Sequence, residues 1–82
     1  MRLDKFLKVS RMIKRRTVAN EACSASRVTA NGREVKPSYD VKVGDILEIR
    51  FGERMLRVEV CAVADHVAKG DAAGLYRVLE EE

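Results

Sequence analysis

The sequence lacks the long apolar segments that mark membrane and secreted proteins. It has no apolar run near the roughly 18 residues that a membrane-spanning helix requires, and its first residues lack the apolar stretch of a signal peptide. At 82 residues it is also too short for two hydrophobic cores, which excludes doubly wound and barrel enzymes. We therefore expect a cytoplasmic protein with no membrane association, folded as one domain over residues 1–82.

Side chains that perform catalysis or hold metal ions are also scarce. Cys23 and Cys61 fit neither a C-x-x-C motif nor a metal-ligand spacing, so we expect two small buried thiols. His66 is the only histidine and has no triad partner, which favours a solvated side chain. The glycine-rich loop that binds nucleotide phosphates is absent. These absences predict a protein that is not an enzyme and uses no metal or cofactor.

Positive charge, by contrast, is abundant and lies mainly in one half of the chain. The first 36 residues contain ten lysines and arginines against three acidic residues, and the remainder contains six against ten. A positive pole of this kind attracts polyanions such as nucleic acid or an anionic membrane surface. Membrane binding would need an exposed apolar helix face, whereas the apolar face here is expected to form the core.

The basic half contains a first predicted helix with a single apolar stripe. Lys5 and Lys8 lie opposite this stripe and Arg2 and Arg11 flank it, so the helix would dock by its apolar side and present cations outward. The stripe consists of Leu3, Phe6, Leu7, Ser10 and Ile13. Asp4, beside Arg2 and Lys5, is expected to complement the helix dipole and orient a neighbouring arginine.

A second predicted helix begins at the run Lys14-Arg15-Arg16 and places Val18, Ala19, Ala22 and Cys23 on its apolar side. Its start lacks the usual Ser or Asp cap. Each cation there opposes the helix dipole by roughly 0.3–1 kcal/mol, and such a local conflict is typical of a functional site. An anion at this helix start would meet free amide groups and three cationic side chains.

Two β-hairpins are predicted after the helices. Asn31-Gly32 predicts a type I′ turn, because both central residues require positive φ, and Gly52-Glu53 predicts a type II′ turn. The first turn pairs Ala30 with Arg33, Thr29 with Glu34 and Val28 with Val35. The second pairs Phe51 with Arg54, Arg50 with Met55, Ile49 with Leu56, Glu48 with Arg57 and Leu47 with Val58.

Shorter features complete the chain. Asp45, after Gly44, is expected to shape a turn. Residues 65–74 are predicted to form a polar loop, and a solvated tail is predicted at Glu80, Glu81 and Glu82. Between them, residues 75–79 form a closing element for which a strand is slightly favoured over a helix. The predicted class is therefore α+β, with two N-terminal helices packed on a small, mainly antiparallel sheet of about four to five strands.

A long ordered series of residues in this arrangement resembles the RNA-binding domain named after small-subunit ribosomal protein four, the alpha-L RNA-binding motif. The resemblance covers about residues 1–50, leaving a C-terminal hairpin and extension at 51–82. The residues that carry it are Arg2-Leu3-Asp4, Phe6-Leu7, Arg16, Ala19, Val28, Asn31-Gly32, Val35, Pro37-Ser38, Val41 and Gly44-Asp45.

Within that superfamily, the opening segment 1–16 and the chain length are similar to the stand-alone bacterial ribosome-associated quality-control P factors, which are related to heat-shock protein fifteen. This similarity implies binding to rRNA and peptidyl-tRNA on an obstructed large ribosomal subunit. It also implies support for C-terminal tailing of the stalled nascent chain by a partner protein. We expect the protein to act as a monomer.

The resemblance also implies which residues face RNA. The matching positions are Arg2, Arg11, Lys14, Arg15 and Arg16, with Lys5, Lys8 and Arg33 as weaker candidates. The sequence departs from the superfamily at Arg15, where serine is usual, at Ala30, where an aliphatic residue is usual, and at Ser26, where glycine is usual. A serine in a left-handed position after a helix costs roughly 1 kcal/mol relative to glycine, so a different helix end is an alternative.

Four aromatic residues are too few for a platform that stacks single-stranded bases, so we expect recognition of RNA by shape and charge. Three other functions remain open. The chain could be a heat-shock-type factor that recycles large subunits, an RNA-targeting module of an rRNA-modifying enzyme, or a protein-interaction module with a basic face. A chain of 82 residues with its own start methionine disfavours the enzyme module.

Overall fold

The computed structural model describes residues 1–64, 67 and 69–82. Two α-helices precede a five-stranded antiparallel sheet with strand order β2-β1-β3-β4-β5. The elements are α1 (Leu3–Val9), α2 (Arg16–Ser24), β1 (Val28–Ala30), β2 (Arg33–Glu34), β3 (Ile46–Phe51), β4 (Arg54–Val60), a 3-10 helix (Lys69–Leu75) and β5 (Tyr76–Glu81). The predicted α+β class is confirmed.

The turns fix the register of both hairpins as predicted. Asn31 and Gly32 have φ of 54° and 83°, and Gly52 has φ of 60°. All five predicted β3–β4 pairs form, from Phe51 with Arg54 to Leu47 with Val58. In the first hairpin two of the three predicted pairs form. The third is wrong: β2 ends at Glu34, and Val35 packs against the core instead of pairing with Val28.

The hydrophobic core lies between the two helices and one face of the sheet. The predicted α1 stripe is buried throughout, including Ser10 and Ile13, and meets the aliphatic side chains of β1, β3 and β4. From α2, Ala19 and Cys23 are buried, whereas Val18 is 46% exposed and does not belong to the apolar face as predicted. We call the opposite face of the sheet its outer face.

Both helices end in a residue with left-handed backbone. The first helix stops at Val9, short of the predicted stripe, and Arg11 adopts φ of 65°. After α2, Ser26 has φ of 60°, and the amides of Ser26 and Arg27 donate to the carbonyls of Cys23 and Ala22. This is the Schellman arrangement with serine in the usual glycine position. The helix therefore ends where the glycine pattern would place it.

The C-terminal region differs from its prediction in three respects. A 3-10 helix covers residues 69–74 of the predicted loop together with Leu75, and Glu80 and Glu81 belong to β5 instead of a tail. Cys61 is exposed; only Cys23 is buried, and both thiols are free. The predicted solvated His66 lies outside the described residues. Within the described ranges, no helix is long and apolar enough to span a membrane.

Candidate nucleic-acid interface

An open cleft of about 670 Å³ lies along α1 and the connection between the two helices. Five of the eight sequence-predicted RNA-binding residues line it, together with the aliphatic residues Val9 and Val67. The five are Lys5, Lys8, Arg11, Lys14 and Arg16. With the neighbouring Arg2 and Arg15 they form what we call the cationic ridge. The fold thus collects positive charge from two helices and one loop on a single concave surface.

The buried Asp4 carboxylate holds two arginines of the ridge in place. Arg2 donates from Nε to Oδ1 at 3.1 Å and from Nη2 to Oδ2 at 3.2 Å, and Arg16 Nη2 lies 3.5 Å from Oδ1. The Asp4 side chain is 3% exposed, whereas those of Arg2 and Arg16 are 51% and 47% exposed. One carboxylate therefore orients two guanidinium groups while leaving about half of each for an external anion. The predicted role of Asp4 in orienting an arginine is confirmed.

Asn20 adds a contact that the sequence reasoning missed. Its Nδ2 donates to Asp4 Oδ2 at 3.4 Å from one turn beyond Arg16 on α2. The spacing i, i+4 between Arg16 and Asn20 was the available signal, because residues so spaced lie on the same side of a helix. Burial alone raises the pKa of the Asp4 carboxyl, but the hydrogen bonds from Arg2 and Asn20 and the two arginine charges outweigh it. The pKa is therefore lower than usual, and Asp4 is charged at neutral pH.

The start of α2 is open, as the missing cap predicted. Arg15 occupies the N-cap position with an extended backbone. Among the described residues, no side chain caps α2, and its first turn contains no acidic residue. Lys14, Arg15 and Arg16 are all exposed. The uncapped amide groups of α2 therefore follow directly after three exposed cations in the chain, an arrangement that suits a phosphate group.

The start of α1 is closed by contrast. The amides of Leu3 and Asp4 donate to the carbonyls of Tyr39 and Pro37, and the Lys5 amide donates to the Asp4 side chain. The bonds to Tyr39 and Pro37 fix the start of α1 against the segment that follows the first hairpin. The ridge residues on α1 are thus held in place by backbone hydrogen bonds.

The Asp45 side chain stabilises the segment that follows the first hairpin. Its carboxylate accepts hydrogen bonds from the Tyr39 hydroxyl at 2.8 Å, the Lys42 amide at 3.0 Å and Asn31 Nδ2 at 3.1 Å. Burial raises the pKa of Asp45, but the three hydrogen bonds and the Lys42 charge lower it by more. The pKa of Asp45 is therefore below its usual value. The predicted turn-shaping role of Asp45 is confirmed, and the carboxylate also joins the Asn31 turn to Tyr39.

The structure does not bring Arg33 to the other predicted residues. Arg33 lies in β2, at one edge of the sheet, and lines no part of the cleft. Cys23 lies behind the ridge, where burial and the nearby Asp4 charge raise the pKa of its thiol to about 11. That thiol is protonated and unreactive at neutral pH.

The sequence matches the S4 domain family over residues 1–47. A protein of Bacillus subtilis named RQC P-site tRNA stabilizing factor is 51% identical over 82 residues, covering all of this chain and 95% of that one. A Halalkalibacterium halodurans protein of the same name is 54% identical, covering all of this chain and 93% of that one.

Among solved structures, the fold is similar to Heat Shock Protein 15 of Vibrio cholerae, described as trimeric, with a TM-score of 0.88 and 30% identity. The match covers 95% of this chain and 80% of that protein. The family match spans both helices, the first hairpin and the start of β3, which are the elements that build and support the ridge. The chain therefore belongs to the S4 domain family and, within it, to the group of RQC P-site tRNA stabilizing factors.

Proposed function

We propose that this protein is a non-catalytic factor of ribosome-associated quality control that binds rRNA and peptidyl-tRNA on obstructed large ribosomal subunits. Bound there, it would stabilise the P-site tRNA while a partner protein adds a C-terminal tail to the stalled nascent chain. The observation that carries the proposal is the cationic ridge, in which five of seven basic side chains line one cleft beside an open helix start. The names of the full-length relatives support the ribosomal setting.

The ridge fits the phosphate backbone of folded RNA. RNA helices present phosphates and 2′-hydroxyl groups in a shallow minor groove, which proteins recognise mainly by shape and charge. The Arg2 and Arg16 guanidinium groups are oriented by Asp4, so less rotational freedom is lost when they grip phosphate oxygens. We assign the phosphate contacts to Arg2, Arg11, Lys14, Arg15 and Arg16, with Lys5 and Lys8 as weaker candidates. Arg33 is a separate and weaker candidate.

We further propose that the protein works in the cytoplasm as a monomer of 9.2 kDa. Each ridge residue comes from residues 1–16 of one chain, so an RNA surface can be formed without a second copy. The contact with the tailing partner would follow from occupying the same ribosomal particle.

The phosphate role of the ridge is tested by the salt dependence of RNA binding. Each lost phosphate contact reduces the slope of log affinity against log salt by roughly 0.7–0.9. Replacing Arg15 and Arg16 by alanine should therefore flatten the slope for obstructed large subunits by about one to two units. Arg54→Ala is the matched control, because Arg54 is exposed and lies on the β3–β4 hairpin. An unchanged slope in the double variant would contradict the assignment.

The ribosomal assignment is tested by selective recovery. A pull-down from stressed bacterial lysate should enrich large subunits carrying peptidyl-tRNA over empty ones, and ribonuclease should abolish co-sedimentation. Equal recovery of both particles would remove the quality-control assignment while leaving RNA binding intact. Ribonuclease-resistant recovery would instead indicate a protein-interaction module.

A further inference from the structure

Two arginines outside the cationic ridge, Arg27 and Arg50, lie opposite each other where β1 pairs with β3. Val28 pairs with Ile49 in the β1–β3 ladder, and the Arg50 amide donates to the Arg27 carbonyl at 2.9 Å one step further on. Side chains alternate between faces along a strand, and Val28 and Ile49 are fully buried in the core. Arg27 and Arg50 therefore share the outer face of the sheet, where directly opposed side chains are close neighbours.

This arrangement opposes folding and is only partly compensated. Like charges directly opposite each other destabilise a sheet. Both residues are exposed, and the Arg27 side chain makes no ion pair or hydrogen bond with the described residues. The Arg50 side chain is 69% exposed and lies 3.6 Å from Glu48, which also pairs with Arg57 at the shorter distance of 3.2 Å. One acidic side chain is thus shared, and the arginine pair retains excess positive charge.

The pair lies at the opposite end of α2 from the open helix start. Arg16 begins α2 and Ser24 ends it, so the rise of 1.5 Å per residue separates the two ends by roughly 12 Å. Arg27 follows directly after the Schellman turn. Beside this turn, the exposed Lys36 lines a surface depression that also contains Ser24, Ser26 and the acidic Glu34. The arginine pair therefore lies away from the cleft, at the other end of α2.

We infer that Arg27 and Arg50 form a second contact site for an RNA phosphate backbone, distinct from the cationic ridge. The inference rests on the proposed RNA-binding function and adds to it a second attachment point. Two opposed guanidinium groups can each donate paired hydrogen bonds to phosphate oxygens, and the phosphate charge would remove their mutual repulsion. With one backbone segment on the ridge and another at this pair, α2 would act as a spacer between two RNA segments.

The competing explanation is purely structural. Arg27 lies beside the last carbonyl groups of α2, where a cation stabilises the helix dipole. That role would make Arg27 important for folding and unimportant for RNA binding. It does not account for Arg50, which lies on β3. Thermal unfolding and RNA binding, measured on the same variants, separate the two explanations.

The first experiment measures the affinity of the full chain for large subunits carrying peptidyl-tRNA over a series of salt concentrations. The variant Arg27→Gln/Arg50→Gln should bind about tenfold more weakly at low salt, with a log–log slope reduced by roughly one to two units. Arg54→Gln is the control for the single variant Arg50→Gln, because it removes one arginine charge from the next strand on the other face of the sheet. The single variant Arg50→Gln should lose affinity without a lower Tm.

The second experiment maps RNA near each end of α2 by hydroxyl-radical cleavage from an iron chelate. The chelate is attached to Ser24→Cys or to Val18→Cys, each in a Cys61→Ser background, since Ser24 and Val18 are exposed and Cys23 is buried. We expect the two positions to cleave different RNA segments. Cleavage of one shared segment, or none from position 24, would overturn the inference.

The outcomes distinguish this inference from the function on which it rests. If the Arg15/Arg16 variant flattens the salt slope and the Arg27/Arg50 variant behaves like Arg54→Gln, the second site is wrong and the proposed function stands. A third outcome is that the Arg27/Arg50 variant binds more weakly with an unchanged salt slope, and that the chelate at position 24 cleaves no RNA. The pair then contacts a protein, which also overturns the inference. If the wild-type chain fails to bind obstructed subunits, the proposed function itself fails.

Discussion

Asp45 makes three hydrogen bonds that hold the segment between the two hairpins. Replacing it with asparagine puts an amide donor where the carboxylate accepts three hydrogen bonds. Because the Asp45 carboxylate is itself buried and accepts all three bonds, we expect the free energy of unfolding to fall by about 1–3 kcal/mol at pH 7. Urea denaturation followed by circular dichroism measures this loss. Glu53→Gln, in the exposed β3–β4 turn, should have little effect.

The effect of Asp45 should also depend on pH. Its pKa is lower in the folded protein than the usual 3.8, so the stabilising contribution is complete above that value. The contribution is lost as pH falls through the lowered folded pKa, because the carboxyl is then protonated. The difference in unfolding free energy between wild type and Asp45→Asn should therefore shrink between pH 5 and about pH 2. A difference that stays constant over this range would contradict the carboxylate role.

Ser26 offers a gain in stability at one position. Its φ of 60° is costly for a side chain with a Cβ atom and free of strain for glycine. Ser26→Gly should therefore raise the free energy of unfolding by about 1 kcal/mol in chemical denaturation. The matched control, Ser24→Gly, lies in the last turn of α2 and should lower it by about 0.5–1 kcal/mol. Equal effects of the two changes would rule out the backbone explanation.

At the scale of elements, we expect the start of α2 to be less stable than a capped helix and better suited to binding RNA. Arg15 is the uncapped N-cap residue with φ of −122° and ψ of 132°, a backbone that serine adopts when it caps a helix. Arg15→Ser should raise the free energy of unfolding by about 0.5–1.5 kcal/mol and weaken RNA binding severalfold. Denaturation and affinity measurements on one preparation check both effects.

Lys14→Ser provides the comparison for that variant. It removes the same charge one residue earlier, where no helix amide is available to a cap. It should weaken RNA binding to a similar degree without the gain in stability. If Arg15→Ser stabilised the protein and bound RNA as well as wild type, the open helix start would have no part in binding.

The elements most accurately predicted were those governed by local rules. Asn31-Gly32 and Gly52 require positive φ, and once their turn types are fixed the pairing of the strands follows residue by residue. Arg11 shows the limit of this reasoning. The apolar stripe continued to Ile13, but α1 ended at Val9, because Arg11 adopts a left-handed backbone that a right-handed helix cannot contain. Periodicity reported the burial of Ile13 correctly and its secondary structure incorrectly.

The candidate site was predictable to a similar extent. Charge clustering and the missing cap identified the residues of the ridge, because both are properties of neighbours in sequence. The sharing of Asp4 between Arg2 and Arg16 depends on how α2 packs against α1, which spacing alone does not reveal. The Arg27–Arg50 pair depends on the β1–β3 register, which no turn specifies because a long connection separates these strands.

At the scale of the whole molecule, positive charge is concentrated in the first half of the chain and negative charge in the second. The ridge gathers seven cations from the first 16 residues, whereas Glu80, Glu81 and Glu82 lie at the far end of the chain, in or next to β5. A dipolar molecule is oriented by the field of a polyanion before contact, which raises the association rate at low salt. Stopped-flow measurements should show an association rate with obstructed subunits that falls steeply with salt. Glu81→Gln/Glu82→Gln should change that rate much less than Arg15→Ala/Arg16→Ala does.

The two borders of the sheet have a consequence for how the protein behaves when concentrated. β2 is only two residues long, so a strand of a second molecule has almost nothing to pair with there. At the other edge, β5 exposes Val78 and Leu79 beside three glutamates. Two molecules that approached through β5 would oppose these carboxylates, and such repulsion is a common safeguard against fibril growth. Salt would screen this repulsion and leave the aliphatic pair open to a second copy. Low ionic strength should therefore keep the concentrated protein dispersed, while high salt should promote aggregation through this strand.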